Sequence, residues 1–439
     1  MSADTTNRNL PVRPNLDQLK HQAKDLLRAV RRGDPSAIEE FKQHHPKPIE
    51  PEQAKLAAAQ LALARSYQLS GWPRLVQACK LIDAIWDDDI DLVRALILKH
   101  PHLLHEMARG TKKCNWGPPM SYAANLGRNG IIRMLHELGA RDHMHAIDRA
   151  TLQSKIETAR MLYEMMGSPR LPKDALGGPA YTLSASGTEL MFELGAQVLD
   201  ADGKRLAPVD VVLETDSRNP LAKHQILEMY VRHGLDLPDT PVMALHRGRI
   251  DLLEDHLRRD AKLLQRTFTH EEIYPPELGC HDEVLATQGT PLKGATLLHM
   301  CVDYDELEIA RWLIERGMDV DLKAAVDAEG FGGHTALFAT IVSQPNYWMN
   351  RGGSGQLMNG VQAEILAPFT KMLLDHGANP NSRAALRKQL HPGYVPKHGD
   401  GEMHEYRDVT PLSWGARFPA KMFVSAPAMQ LIAEQGGHE

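Results

Sequence analysis

Residues 294–321 read GATLLHMCVDYDELEIARWLIERGMDVD. Thr296-Leu297-Leu298-His299 opens a short helix, on which Cys301-Val302 form a compact apolar pair. Ile309-Ala310 and Leu313-Ile314 form the apolar stripe of a second helix at three- and four-residue spacing. Gly317-Met318-Asp319-Val320-Asp321 closes the hairpin, and Gly317 supplies a helix ending with positive φ at little steric cost. One helix pair cannot bury its apolar face alone, so such pairs must stack and share a core.

Outward from this stretch the same grammar recurs. Gly333-His334-Thr335-Ala336-Leu337-Phe338 opens another copy, which Lys371–Asn381 closes after a long insertion. Pro118–Ala124 begins one that ends at Leu138–Asp142, and Asp148–Gly167, Pro179–Ala196 and Pro208–Asp236 are degraded copies. Thr240–Asp260 turns at Gly248; Ile82–Leu104 lacks the opening motif; Thr410-Pro411-Leu412-Ser413 starts a last copy that fades near Gly436. These residues resemble the ankyrin repeat, TPLHxAAxxG followed by an outer helix and a GAD exit. The resemblance implies an all-α ankyrin-repeat solenoid over residues 81–439, in roughly nine units with atypical ends. It also implies that His299 bonds backbone between repeats rather than acting in catalysis.

Ahead of the repeats, residues 1–14 are polar with two prolines and are expected to be a disordered tail. Leu16, Leu19, Ala23, Leu26, Leu27 and Val30 then mark a helical face. Gly33-Asp34-Pro35 breaks it, Ala54–Tyr67 forms a further helix, and Gly71-Trp72-Pro73 opens the next. Residues 15–80 thus form a small helical N-terminal unit, similar to the leader ahead of ankyrin repeats in bacterial proteins.

The 439 residues are 43% hydrophobic, with a formal net charge of -6. No basic excess is available for a phosphate backbone, so nucleic acid is not an expected partner. Cys79, Cys114, Cys280 and Cys301 lie far apart without CxxC spacing, which suits reduced thiols in the cytoplasm. The N-terminus has no apolar h-region, and no stretch reaches the ~20 apolar residues of a membrane span. No cofactor or metal is expected: His270 and His281, like His143-Met144-His145, match no zinc spacing.

If the repeats stack regularly, the resemblance puts the x positions of TPLHxAAxxG on an open concave groove. Tyr122, Arg149, His246, Arg247, Tyr304, Trp414 and Arg417 then face a ligand, with Asn125, Gln153, Met300 and Asp303 among their neighbours. Trp116 and Trp348, from adjoining insertions, join the groove-binding set. Aromatic and Arg anchors of this kind suit a protein or peptide partner.

The insertions at 105–117, 264–293, 345–368 and 382–409 open an alternative, because loops this long are often functional and could wall a pocket. Asp282, Glu283, Asp303, Asp327 and Glu329 lie among Trp and Tyr residues. Paired carboxylates beside flat rings are what a glycoside hydrolase needs for a small carbohydrate-like substrate. Binding scaffold and hydrolase are both carried forward as expectations.

Overall fold

The computed structural model describes residues 8–47, 50–111, 115–280, 288–350, 367–390 and 403–439, without the side chains of 348–350. It comprises two compact units, Met1–Arg170 and Leu171–Glu439.

In the first unit, helix Leu16–Arg31 begins where the Asn15 side chain accepts the Gln18 N–H at 2.9 Å. Asp17 in its first turn and Arg28 and Arg31 in its last complement the helix dipole. Helices Pro35–His44 and Leu56–Ser66 pack beside it. Three helix pairs follow: Trp72–Trp86 with Ile90–Lys99, Pro119–Leu126 with Asn129–Glu137, and His143–Leu152 with Ile156–Met165. Helix Trp72–Trp86 runs straight through the expected 80/81 boundary, so the first pair begins at Trp72 rather than at residue 81, in a helix that also touches Leu56–Ser66.

The expected disordered tail needs correction at residues 8–14. Leu10 is buried among Leu19, Leu63, Leu69, Leu75 and Ala78, and the Arg8 N–H donates to the Ser66 carbonyl at 2.7 Å. Full burial of one leucine stabilises by about 1.5–3 kcal/mol, and the bonds from Arg109 to the Leu10 carbonyl and from Tyr122 to the Val12 carbonyl add to it.

In the second unit, six helix pairs are seen among the described residues. They are Gly177–Tyr181 with Ala185–Glu193, Val209–Glu214 with Pro220–Arg232, Pro241–His246 with Ile250–Arg259, Leu297–Asp303 with Leu307–Glu315, Ala336–Ile341 with Pro368–Asp375, and Pro411–Arg417 with Ala426–Glu434. The turn inside a pair often demands positive φ. Gly127 and Gly248 meet that demand at no steric cost, but Ser154 (φ 53°), Leu183 (φ 54°) and Asp305 (φ 62°) adopt it as well.

The TPLH network is visible in full. The Thr296 hydroxyl lies 2.8 Å from His299 Nδ1, and His299 Nε2 donates to the His334 carbonyl at 3.0 Å, which ties consecutive repeats together. His334 Nε2 in turn donates to the Pro291 carbonyl at 3.0 Å. Burial lowers His299 to about 4 and His334 to about 3, so both rings stay neutral and keep this donor pattern.

The insertions carry structure of their own. Residues 382–409, expected within an all-α chain, contain an antiparallel hairpin: β1 Ala384–Gln389 pairs with β2 Met403–Val409, Leu386 opposite Tyr406 and Lys388 opposite His404. Gly332 bridges to Ala385 on β1. Residues 288–290, the end of the 264–293 insertion, lie against helix Ala336–Ile341. The Thr290 N–H donates to Val342 at 2.9 Å, and a Cβ on Gly289 would come 2.6 Å from the Ser343 Cα, so only glycine fits. Among the described residues no helix is long and apolar enough to cross a membrane.

His299→Ala should leave the His334 carbonyl without its donor and open a small void. We expect a loss of about 2–4 kcal/mol in urea unfolding with helical content retained before the transition.

Candidate functional site

The inner helices do not present the open face that register alone suggests. In the first unit Tyr122 is fully buried. Its hydroxyl donates to the Val12 carbonyl, and its ring lies 4.8 Å from that of half-buried Trp116, which in turn stacks 6.4 Å from Trp86. Arg149 is also buried, with its Nε donating to Asn125 Oδ1 at 3.0 Å. The helix carrying it starts at His143, five residues before the expected Asp148. Arg149 therefore falls in the last turn, against the neighbouring inner helix.

In the second unit, His246, Asp303 and Tyr304 do come together, but inside the protein. Arg218 Nη2 meets Asp303 Oδ2 at 2.9 Å, and its Nε donates to the Asp303 carbonyl at 2.7 Å. Lys223 Nζ meets Glu306 Oε1 at 2.9 Å, and His224 Nε2 reaches the same oxygen at 2.8 Å. Both cations sit over the Tyr304 ring, at 4.8 Å for Arg218 and 4.7 Å for Lys223. The His246 ring stands edge-on to Tyr304 at 4.6 Å.

Burial and the pairings set the charge states of this cluster. Burial opposes ionisation of Glu306, yet Lys223 and His224 outweigh it and hold the carboxyl below its ordinary value. Burial, with Lys223 and Arg218 adding to it, drives His246 well down, so that ring is neutral. Burial and then Glu306 raise Asp305 to about 6. The arrangement is a closed strut joining helix Pro220–Arg232 to the turn after Leu297–Asp303. Buried ion pairs of this sort stabilise weakly against apolar substitutes, but losing one member is costly.

The expected catalytic carboxylates are engaged elsewhere or lie outside the description. Asp303 is locked to Arg218 as above. Asp327 accepts the N–H groups of Glu329 at 3.0 Å and Phe331 at 2.9 Å and pairs with Arg387 at 2.8 Å. Those bonds, the Phe331 N–H first, hold it below the usual carboxylate range, whereas a general acid needs a raised value. Glu329 pairs with the same Arg387, and Arg387 and Arg407 both lie over the Phe331 ring, at 4.9 and 4.2 Å. These acids therefore dock the β1–β2 hairpin. Asp282 and Glu283, and the side chain of Trp348, lie outside the described residues.

The other expected groove residues have separate roles. Trp414 is fully buried; its indole N–H donates to the Thr290 hydroxyl at 3.0 Å, and its ring meets Tyr406 and Phe418 edge-on. Arg247 bonds Glu228 Oε1 at 2.6 Å, and exposed Arg417 lies 5.3 Å from the Tyr406 ring. Among the described residues no group of three or more His, Cys, Asp or Glu is arranged to hold a metal ion.

One open cleft stands out, of about 390 Å³, between the loop leading into Pro241–His246 and the 260–277 segment. Buried Val242, Leu263 and Phe268 line it. Its charged lining comprises Asp239, Asp260, Glu271, Glu272 and Glu277 with Arg259 and Arg266, beside His256, which burial holds below its ordinary pKa. Asp239 pairs with Arg259 at 3.0 Å and His256 at 3.1 Å, and Arg266 pairs with Glu272.

Sequence reading missed Arg218, Lys223, His224 and Glu306, because Arg218 and Asp303 are 85 positions apart and no local spacing links them. One signal was present: Asp305 occupies the glycine position of TPLHxAAxxG at positive φ. Arg218→Leu should cost about 3–5 kcal/mol, and adding Asp303→Leu should recover much of it in urea unfolding. Asp305→Gly should stabilise, by about 1 kcal/mol from relieved backbone strain alone. The folded pKa of Asp305, about 6, exceeds its ordinary 3.8. Ionisation therefore favours the unfolded chain increasingly from pH 3.8 upward and fully above 6, so the gain should be larger at pH 7 than at pH 5.

Residues 293–322 match the ankyrin-repeat family model. No curated protein matches the sequence. Among solved structures, the human ASB11 ankyrin repeat domain is similar at 15% sequence identity, over 73% of this chain and 99% of that one, with a TM-score of 0.26. The family match, together with the Thr296–His299–His334 network, rather than that distant likeness, supports the assignment: residues 293–322 are an ankyrin repeat.

Proposed function

We propose that this chain is a protein-binding module whose contact surface in the second unit is the 238–277 cleft rather than the inner-helix faces. Ankyrin repeats support a protein-interaction role. The observation that carries the location is contrast: Asp303, Tyr304 and Trp414 are buried and engaged within the protein, while the cleft is open and offers half-buried Pro238 and Pro241 beside exposed Asp239, Arg259, Asp260, Glu271 and Glu277. A covered side chain cannot exchange water for a partner, whereas accessible apolar rings within a polar rim can.

The rim also favours one class of partner. Five carboxylates face two arginines and His256 across it. Three of the carboxylates, Asp260, Glu271 and Glu277, have no ion pair among the described residues. A protein segment carrying Lys or Arg beside an apolar residue fits this balance.

The test uses a photo-crosslinking amino acid placed at exposed Lys262 beside the cleft, and at exposed Glu308 on helix Leu307–Glu315 as a control. We expect one protein adduct of defined mass from position 262, lost when Glu271→Lys and Glu277→Lys are added. Equal adducts from both positions, or survival after charge reversal, would remove the cleft as the contact surface.

A further inference from the structure

The first unit holds a second recognition geometry, one whose occupant is already in view. Residues 8–13, Arg-Asn-Leu-Pro-Val-Arg, lie before the helix that begins at Leu16. The backbone of this segment is answered largely by side chains rather than by a helix or sheet ladder. The Arg109 guanidinium donates to the Leu10 carbonyl, and the Tyr122 hydroxyl donates to the Val12 carbonyl. Two side chains are read at a spacing of three. Leu10 fills an apolar pocket beside Leu69 and Leu75. Arg13 meets Asp83 at 3.2 Å and Asp87 at 2.7 Å, 5.5 Å over the Trp86 ring.

Carbonyls gripped by donors, an apolar anchor and a guanidinium on an acid pair over an aromatic ring are the components of peptide recognition. We propose that the Trp86–Arg109–Tyr122 face is a recognition site for a Leu-x-x-Arg segment of a partner protein, bent as Val12 and Arg13 are here, and that the chain's own Leu10–Arg13 occupies it as an internal competitor.

The contacts suit displacement. Both Arg13 ion pairs are solvent-exposed, with the Arg13 side chain 46% accessible, so water and salt weaken them. The helix that follows has its own cap at Asn15, so the segment can leave without unravelling Leu16–Arg31. Masking by a tethered segment lowers apparent affinity in proportion to the fraction of time that the site is free. This reading concerns the other unit and stands or falls separately from the cleft.

The probe is a fluorescein-labelled peptide of residues 8–15, RNLPVRPN, added to the full chain and followed by anisotropy. Arg13→Glu in the full chain alters an exposed residue and weakens the internal competitor. It should bind the peptide on the order of tenfold more tightly than the unaltered chain. Adding Asp83→Lys and Asp87→Lys should abolish that gain, and a peptide with its second arginine reversed to glutamate should not bind. Leu10→Ala in the full chain provides a second unmasking variant, checked by circular dichroism for retained helix. No gain in Arg13→Glu, or equal binding of the charge-reversed peptide, overturns the proposal. Concentration-dependent dimers of the unaltered chain that the peptide dissolves would instead assign the site to a second copy of this chain and overturn the partner-protein reading.

Discussion

A hairpin of two short helices cannot shield its own apolar side from water, and everything else in this molecule follows from that constraint. Val302, Ile309, Ala310 and Leu313 of one hairpin are buried, as are Ala336, Leu337 and Phe338 of the next. The neutral His299 ring crosses the junction with a bond to the His334 carbonyl. That bond adds register rather than bulk stability: it satisfies a buried carbonyl that would otherwise be stranded.

The same constraint explains why the inner-helix faces are closed. An exposed face carrying Tyr122 or Trp414 would leave a large apolar area in water. Here the chain covers it with its own irregular segments: residues 10–13 in the first unit, residues 288–290 and the hairpin in the second. Gly289 can approach Ser343 because it has no Cβ. Long insertions therefore serve as packing material as well as loops, and binding surfaces must lie where that packing stops or can be displaced.

Burying charge needs a different solution. Arg218 and Lys223 are accommodated because each has a carboxylate partner and both face the Tyr304 ring. The low dielectric that makes each pair strong also makes it indispensable once in place. The strut gives a turn with positive φ at Asp305, where glycine is absent, a fixed position relative to helix Pro220–Arg232.

Much of the repeat grammar was legible. Thr296–His299, the apolar stripes and Gly317 mark a hairpin because helix geometry acts over three or four residues, and so does its signature in the chain. The leader helices were legible for the same reason, down to the break at Gly33-Asp34-Pro35. Several left-handed turns were hidden, since Ser154 and Leu183 adopt the conformation without the glycine that announces it. The sequence by itself determined that residues 294–321 form two helices closed by Gly317, because helix periodicity and a glycine ending depend on neighbours in the chain; the role of His299 was implied only by the resemblance, since its bond reaches His334. Only the tertiary structure decided that Tyr122, Asp303 and Trp414 are covered, that Arg218 meets Asp303, and that Asp327 and Glu329 hold a hairpin in place. Those outcomes join residues tens of positions apart, and burial is a property of what packs on top, which no local spacing encodes.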